Sequence, residues 1–191
     1  MWLWYNHILK DKGVNGLKFK ILGIAFLAAG LLTACNGGEE SAKPEEQQEN
    51  IKELVSDYST GKVKGHNASI TSHELTVADS EGDKQVYDIS EEDFFVSIAP
   101  YENQTHPWTN HSLTGCQGEL VEKEFDVYIE DEDGNVIVDE KMMSQQNGFI
   151  DLWLPRDKKY KTKIGYNGKS VESEISTFEN DATCITTMQL M

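Results

Sequence analysis

The chain is short of several residue types, and each shortage excludes a class of protein. Its 191 residues include three cysteines, too few for a scaffold held together by several disulfides. Arg156 is its single arginine, so bidentate clamps on phosphate groups are scarce. Acidic residues outnumber basic ones by 33 to 17, which gives a net charge of −16 and leaves no basic stripe. We therefore expect no nucleic-acid partner.

Catalytic motifs are missing as well. No Gly-x-Ser-x-Gly segment occurs, and the segment Gly168–Ser170 has Lys163 where a P-loop needs its upstream glycine. The acidic stretch before Gly134 resembles a calcium loop, but Ile129 occupies the first ligand position. The sequence therefore favours a binding protein over an enzyme, with metal reduction by thiols as the enzymatic alternative.

The first 35 residues have the pattern of a secretion signal. Lys18 and Lys20 precede the twelve-residue apolar segment Ile21–Leu32, which is too short to span a bilayer. The segment leads into the tetrapeptide LTAC, which resembles the bacterial lipobox. Residues 1–34 are predicted to be a lipoprotein signal peptide, and Cys35 to carry the lipid that anchors the protein outside the cytoplasmic membrane. A signal peptide with an incidental cysteine is the alternative.

The residues that follow change from polar to amphipathic. Residues 35–50 are predicted to be the lipidated cysteine and a disordered tether, because the stretch has no apolar run. Apolar residues then recur at the spacing of one helix face: Ile51, Leu54, Val55 and Tyr58. Asn50 is a candidate N-cap for this helix, and Gly61 is expected to end it.

Short alternating segments dominate the rest of the first half. The strand candidates are Ile70–Val77, Val86–Ile89 and Phe94–Ala99. The first of them places His73 on the same face as its apolar neighbours. Residues 51–101 are therefore predicted to form a small α+β unit.

The C-terminal part combines strands with hairpin turns. Two predicted strand pairs have Asp133-Gly134 and Asn167-Gly168 as their turns: Phe125–Glu130 with Val136–Asp139, and Tyr160–Tyr166 with Ser170–Ser176. Ile150, Leu152 and Leu154 form another inward-facing set. The predicted fold class is α+β and mostly β, with the small N-terminal helix-plus-strands unit followed by an antiparallel β-sandwich-like domain over residues 102–191.

The segment His106–Glu119 carries the strongest functional signal. It contains His106, His111 and Cys116 at intervals of five residues, and its His-Pro step and two glycines indicate a loop. Imidazole and thiol groups are ligands of soft metal ions. Cys184 would complete such a site or form a disulfide with Cys116 in an oxidising compartment. A surface loop with idle histidines and a structural cysteine is the alternative.

Four segments resemble the CueP family of periplasmic copper-binding proteins: SHELTVADS, FFVSIAPYENQTHPWTNHSLTGCQGE, NGFIDLWLPR and TFENDATCITTMQLM. The resemblance runs from about Lys52 to Met191. In that family three cysteines and nearby histidines gather on one side of the C-terminal domain and bind copper. The resemblance maps two of these cysteines onto Cys116 and Cys184 and the third onto Trp108.

The resemblance implies an extracytoplasmic protein of copper tolerance that holds Cu(I) with Cys116, Cys184, His106 and His111 as ligands. It also implies delivery of copper to a secreted copper enzyme such as superoxide dismutase. Zinc is the alternative metal, and assembly as a homodimer stays open. Two other functions are considered: a thiol redox protein in which the two cysteines reduce Cu(II) or Fe(III), and a structural lipoprotein with an inert disulfide.

Three further residues are expected around the metal ligands: Trp108, Met188 and His73. Trp108 either fills the space of the family cysteine or covers bound Cu(I) through a cation–π contact. Met188 either offers its thioether sulfur or packs in the core. His73 either supports the site or is an ordinary half-buried histidine of a strand.

Overall fold

The structure is a computed structural model that describes residues 44–191, with side chains from Asn50 onward. The predicted signal peptide, the predicted lipidation site Cys35 and residues 36–43 lie outside the described residues. The described part of the chain contains one helix and eleven strands and falls within one compact unit. Its helix is not long and apolar enough to cross a membrane.

One helix and eleven strands in the described residues confirm the predicted fold class, α+β and mostly β. The elements are α1 Pro44–Ser59, β1 Asn67–Ile70, β2 Glu74–Ala78, β3 Lys84–Asp88, β4 Phe94–Ile98, β5 His111–Ser112, β6 Glu124–Asp131, β7 Val136–Met143, β8 Ile150–Leu154, β9 Lys159–Tyr166, β10 Lys169–Ser176 and β11 Cys184–Ile185. They form three sheets with the orders β3-β2-β1-β5, β10-β9-β6-β7 and β11-β4-β8.

Helix α1 is longer than the sequence analysis predicts. It begins at Pro44, so residues 44–50 are helical and Asn50 is an internal residue rather than the N-cap. Proline suits the first helical position, and the glutamates and glutamines that follow it are good helix formers. The predicted end is confirmed: Gly61 has φ of 70°, and the N–H of Lys62 donates to the carbonyl of Asp57 at 2.9 Å, as in a Schellman motif.

The prediction of one strand over Ile70–Val77 is wrong. The segment is a hairpin in which β1 and β2 pair antiparallel, with Ile70 opposite Leu75. The hydroxyl oxygen of Thr71 accepts a hydrogen bond from the N–H of Glu74 at 3.1 Å, a local turn that competes with the extended chain. His73 therefore lies exposed in the turn and not on the apolar face.

The predicted hairpins of the C-terminal part are confirmed. β6 pairs with β7, and β9 pairs with β10 in a continuous antiparallel register. The turn between β9 and β10 needs two residues with positive φ, and Asn167 and Gly168 supply φ values of 50° and 80°. These turn residues tolerate the left-handed region better than most others.

Strand β4 is buried along its whole length and links two cores. Phe94, Val96 and Ile98 face the main core, where β4 and β8 pack against β6, β9 and β10 like the two layers of a sandwich. Phe95 faces a second core beneath α1. Ser97 points to the same side as Phe95, because side chains alternate along a strand.

The pairing of the strands can be compared with the domain boundary that is predicted after residue 101. β5 pairs with β1, and β8 and β11 both pair with β4, so two of the three sheets combine strands from either side of it. The division into units 51–101 and 102–191 stays a prediction about domain organisation.

Candidate metal centre

Three of the predicted ligands lie together. The ligand atoms of His106, Cys116 and Cys184 are all within 4.8 Å of one another. His106 Nε2 lies 4.0 Å from Cys184 Sγ. His106 comes from the segment between β4 and β5, Cys116 follows β5, and Cys184 begins β11. Residues distant in sequence thus converge because β5 and β11 are edge strands of two sheets that meet here.

The turn after β5 places Cys116. The N–H groups of Gly115 and Cys116 both donate to the carbonyl of Ser112, at 3.3 and 3.0 Å. The N–H of Ser112 in turn points to Cys116 Sγ at 3.4 Å. The sulfur is therefore held by its own turn, and the residue is only 1% exposed.

Two backbone contacts place Cys184. Its N–H donates to the carbonyl of Thr109 at 3.0 Å, and β11 pairs with β4 so that Cys184 lies beside Ser97. The preceding residue, Thr183, accepts a hydrogen bond from the N–H of His111 and donates to the carbonyl of Ile70. Strand β11 therefore ties the loop that carries the ligands to the sheet.

Cys116 and Cys184 are both free thiols, and each shifts the pKa of the other. The hydrogen bond from Cys184 is the main cause that lowers the pKa of Cys116, and the hydrogen bond from the Ser112 N–H acts in the same direction. The pKa of Cys184 is raised, because it shares its proton with Cys116 and because it is buried. One thiolate and one thiol are thus favoured in the metal-free site.

His111 does not join the cluster of three but lies directly behind it. The residue is fully buried, and its ring packs against Phe149 with the centroids 4.6 Å apart. Phe149 in turn packs with Ala99 and both cysteines. His111 Nε2 lies 3.3 Å from Ser97 Oγ, while His111 Nδ1 is buried without a hydrogen-bond partner.

A buried polar network continues behind His111, and sequence reasoning missed it. Ser97 Oγ lies 2.6 Å from Asp151 Oδ1. Asp151 Oδ2 accepts hydrogen bonds from Ser59 Oγ at 2.5 Å and from Gln145 Nε2 at 3.1 Å. The signal in the sequence was a serine inside the apolar run FFVSIA. We call Ser97 and His111, which are buried, and Asp151, which is half-buried, the wall of the site.

The opposite side of the site is a polar segment that carries His106. The Glu119 carboxylate accepts hydrogen bonds from the N–H groups of Glu102 at 2.7 Å and Asn103 at 2.9 Å. These bonds, that of Asn103 first, lower the pKa of Glu119 to about 2. Thr105 Oγ1 donates to the carbonyl of Thr186 at 2.6 Å. We call residues 102–108 the entry loop.

An open groove of about 350 Å³ runs beside His106. Residues 104–106 line one side of it, and residues 117–119 line the other. Gly118, one of the lining residues, packs closely on the backbone of Gly148, since a Cβ atom at position 118 would lie 2.6 Å from the carbonyl oxygen of Gly148. His106 is half-buried and is therefore the member of the cluster that solvent reaches.

The three residues expected around the ligands differ in position. Trp108 is 51% exposed, with its ring edge-on to His106 and the centroids 5.4 Å apart, so it does not fill the interior. Met188 is fully buried in the main hydrophobic core. His73 is exposed in the β1–β2 turn, where its Nδ1 lies 3.1 Å from Ser72 Oγ.

Comparison with known proteins agrees with this geometry. The sequence profile of the family described as periplasmic copper-binding protein CueP matches residues 50–189. The chain belongs to the CueP family. A crystal structure of S.CueP is 39% identical to it, covers 74% of this chain and 88% of that chain, and superposes with a TM-score of 0.70. Among curated proteins, none matches the chain significantly.

Membership of the CueP family confirms the resemblance stated from the sequence and gives an extracytoplasmic location. The matched region contains both histidines and both cysteines of the candidate site. Cys35 precedes it, so the match carries no information about lipidation.

Proposed function

We propose that this member of the CueP family holds Cu(I) outside the cytoplasmic membrane, with Cys116, Cys184, His106 and His111 as the ligands. The observation that carries the proposal is the convergence of one imidazole and two thiol groups within 4.8 Å of one another. The unpartnered Nδ1 of buried His111 supports it, because a buried polar atom without a partner is costly unless something binds there.

The donor set suits a soft cation. Cu(I) prefers thiolate sulfur and accepts imidazole, whereas hard cations prefer oxygen ligands. The lowered pKa of Cys116 supplies one thiolate before the ion arrives. A site with two sulfur and two nitrogen donors also suits Zn²⁺, so zinc is the natural competitor in any test.

Copper is cargo in this proposal. The groove beside His106 gives access to the ligands, and the acidic surface, with a net charge of −16 over the whole chain, favours cations near it. The ion held in this way limits toxic free copper and passes to a recipient, for which we propose a secreted copper enzyme such as superoxide dismutase.

The test is metal content together with a free-thiol count, on protein purified without oxygen. Copper should remain bound and protect both thiols from alkylation. Removing it with a Cu(I) chelator should expose both. Thiols that alkylate equally fast with and without copper would contradict the proposal, and so would preferential retention of zinc.

The adjacency of the thiols favours a second candidate function, reduction of Cu(II). In that reaction the two thiols form a disulfide and release two protons and two electrons, which reduce two Cu(II) ions to Cu(I). A single-turnover mixture of dithiol protein and Cu(II) should then yield two Cu(I) and one disulfide. A redox role fails if the thiols survive. If the protein were instead a structural lipoprotein with an inert disulfide between Cys116 and Cys184, that disulfide would resist reduction by a mild reductant.

Lipid anchoring is a separate part of the proposal. Mass spectrometry of the membrane-bound protein should find a mature chain that begins at lipidated Cys35. Cys35→Ala should release the protein from the membrane without unfolding it. A soluble form with an unmodified Cys35 in the natural host would end this part. Assembly as a homodimer, which the sequence leaves open, is tested by sedimentation velocity, with and without copper.

A further inference from the structure

One face of the three-stranded sheet carries polar side chains that the copper ligands do not account for. Cys184, Ser97 and Asp151 are register partners on β11, β4 and β8, so their side chains leave the sheet on the same face. Ser97 is fully buried. Its hydroxyl oxygen lies between Asp151 Oδ1, at 2.6 Å, and His111 Nε2, at 3.3 Å.

The donors around Asp151 decide the direction of these hydrogen bonds. Its Oδ2 faces the hydroxyl of Ser59 and the amide nitrogen of Gln145, and its Oδ1 faces the hydroxyl of Ser97. An ionised carboxylate only accepts hydrogen bonds. Ser97 has a single hydroxyl proton, which it therefore donates to Asp151. Its oxygen is left to accept a hydrogen bond from the Nε2–H of His111.

The orientation of Ser97 fixes the state of the imidazole. A neutral histidine with its proton on Nε2 has a lone pair on Nδ1. That Nδ1 is buried and has no hydrogen-bond partner, and Phe149 packs against the ring.

We infer that Asp151 and Ser97 are positioning residues of the copper site, which hold His111 as the Nε2–H tautomer so that its unpartnered Nδ1 keeps a lone pair free for the metal ion. The inference rests on the proposed copper-binding function and adds two residues to it. Metal-binding histidines are commonly oriented through their second ring nitrogen, and loss of the orienting group lowers metal affinity by about 10–100-fold. Here the serine bridges the carboxylate and the imidazole.

The first measurement needs no variant. A long-range ¹H–¹⁵N spectrum of metal-free protein labelled with [¹⁵N]histidine reports the tautomer of each ring. His111 should appear as the Nε2–H tautomer, with His111→Ala used only to assign its signals. A predominant Nδ1–H tautomer would overturn the inference.

The second measurement compares matched substitutions. Asp151→Asn keeps the shape but lets the amide donate, so Ser97 is no longer held in one direction. We expect a mixture of tautomers and about tenfold weaker Cu(I) binding in competition with a chelator. Ser97→Ala should have the same two effects. Asp126→Asn is the control, because that carboxylate is 77% exposed on another sheet.

The results separate this inference from the proposed function. A parent protein that does not retain Cu(I) would overturn the proposed function and the metal role of all the residues named here. A parent that retains Cu(I), while both variants keep its tautomer and affinity, would overturn the inference alone. If Asp151→Asn does not fold, the parent spectrum and Ser97→Ala decide the matter.

Discussion

The two histidines of the candidate copper site belong to regions of opposite character. His111 is fully buried in the wall and is hydrogen-bonded through Ser97 to a carboxylate. His106 is half-buried in the entry loop beside an open groove, and its edge contact with Trp108 faces solvent. The wall therefore suits a fixed ligand, and the loop suits a ligand that moves when copper enters or leaves.

The same difference appears in what holds each region. The wall depends on side-chain hydrogen bonds of the buried residues Ser97 and His111, and breaking one leaves a buried polar atom unsatisfied, at a cost of about 1–3 kcal/mol. The entry loop depends on backbone N–H groups that bind the partly exposed carboxylate of Glu119. Water replaces such bonds more easily, so we expect the entry loop to be less stable than the wall.

We expect the largest effect when either of the two thiols is replaced. The thiols lie between the wall and the entry loop and supply the sulfur ligands. Cys116→Ser and Cys184→Ser should each weaken Cu(I) retention by about 1,000-fold, or about 4 kcal/mol, because one soft anionic ligand is lost. Competition with a Cu(I) chelator measures the change. Unchanged retention in Cys116→Ser would show that this cluster is not the copper site.

Replacing the histidines tests the comparison directly. His106→Ala and His111→Ala should each weaken Cu(I) binding by about 10–100-fold, or about 1.4–2.8 kcal/mol. Only His111→Ala should also lower the free energy of unfolding, by about 2 kcal/mol, because it leaves a cavity and an unpaired Ser97. Denaturant unfolding and chelator competition measure the two quantities.

The control for the histidines is His73→Ala, since that side chain is exposed in the β1–β2 turn. It should change neither binding nor stability. Equal loss of stability in His106→Ala and His111→Ala would remove the distinction between loop and wall.

A smaller effect is expected when the entry loop loses its anchor. Glu119→Gln keeps one accepting oxygen but loses the charge and one of the two acceptors, which costs about 1 kcal/mol and should speed amide exchange at Glu102 and Asn103 by about 5–10-fold. Native-state hydrogen exchange measures this. Glu179→Gln, at an exposed position, should leave these amides unchanged.

The loop should also respond to acid. The pKa of Glu119 is lowered to about 2 in the folded protein, below the value of about 4.3 for an ordinary glutamate. Its stabilisation of the loop is therefore complete above about pH 4.3 and is lost as the pH falls through 2. An NMR titration of the Asn103 amide should show one transition near pH 2. A midpoint above 4 would contradict the anchoring.

The smallest effect concerns the exposed indole of the entry loop. Trp108→Phe should change Cu(I) affinity by no more than about threefold, because the ring lies outside the buried site.

Copper should still quench Trp108 fluorescence, measured in a Trp153→Phe background. Trp108→Cys should tighten binding by restoring the family thiol. A loss of affinity in Trp108→Cys would show that position 108 does not face the ion.

The sequence predicted those parts of the structure that local chemistry determines. Asn167-Gly168 and Asp133-Gly134 specify their hairpins because few other residue pairs adopt the required φ values. The alternating segments 125–130 and 150–154 predicted strands for the same local reason. The segment Ile70–Val77 was wrongly predicted as one strand, because its alternation of apolar and polar residues continues through a turn that the Thr71 side chain stabilises.

The site was only partly predictable. The sequence named Cys116, Cys184, His106 and His111 as ligands, and the structure brings all of them but His111 into one cluster. Ser97 and Asp151 could not be recognised, because their meeting depends on the register of β4 with β8, which no local pattern reports. The buried state of His111 likewise follows from the pairing of β5 with β1.

X-ray absorption at the copper edge tests the central claim most directly. In the copper-loaded protein the account predicts Cu(I) bound by two sulfur atoms and by one or two imidazole nitrogens. Cys184→Ser should remove one sulfur from the fit, and His73→Ala should change nothing. A copper ion surrounded only by nitrogen and oxygen, or a spectrum that Cys184→Ser leaves unchanged, would contradict the account.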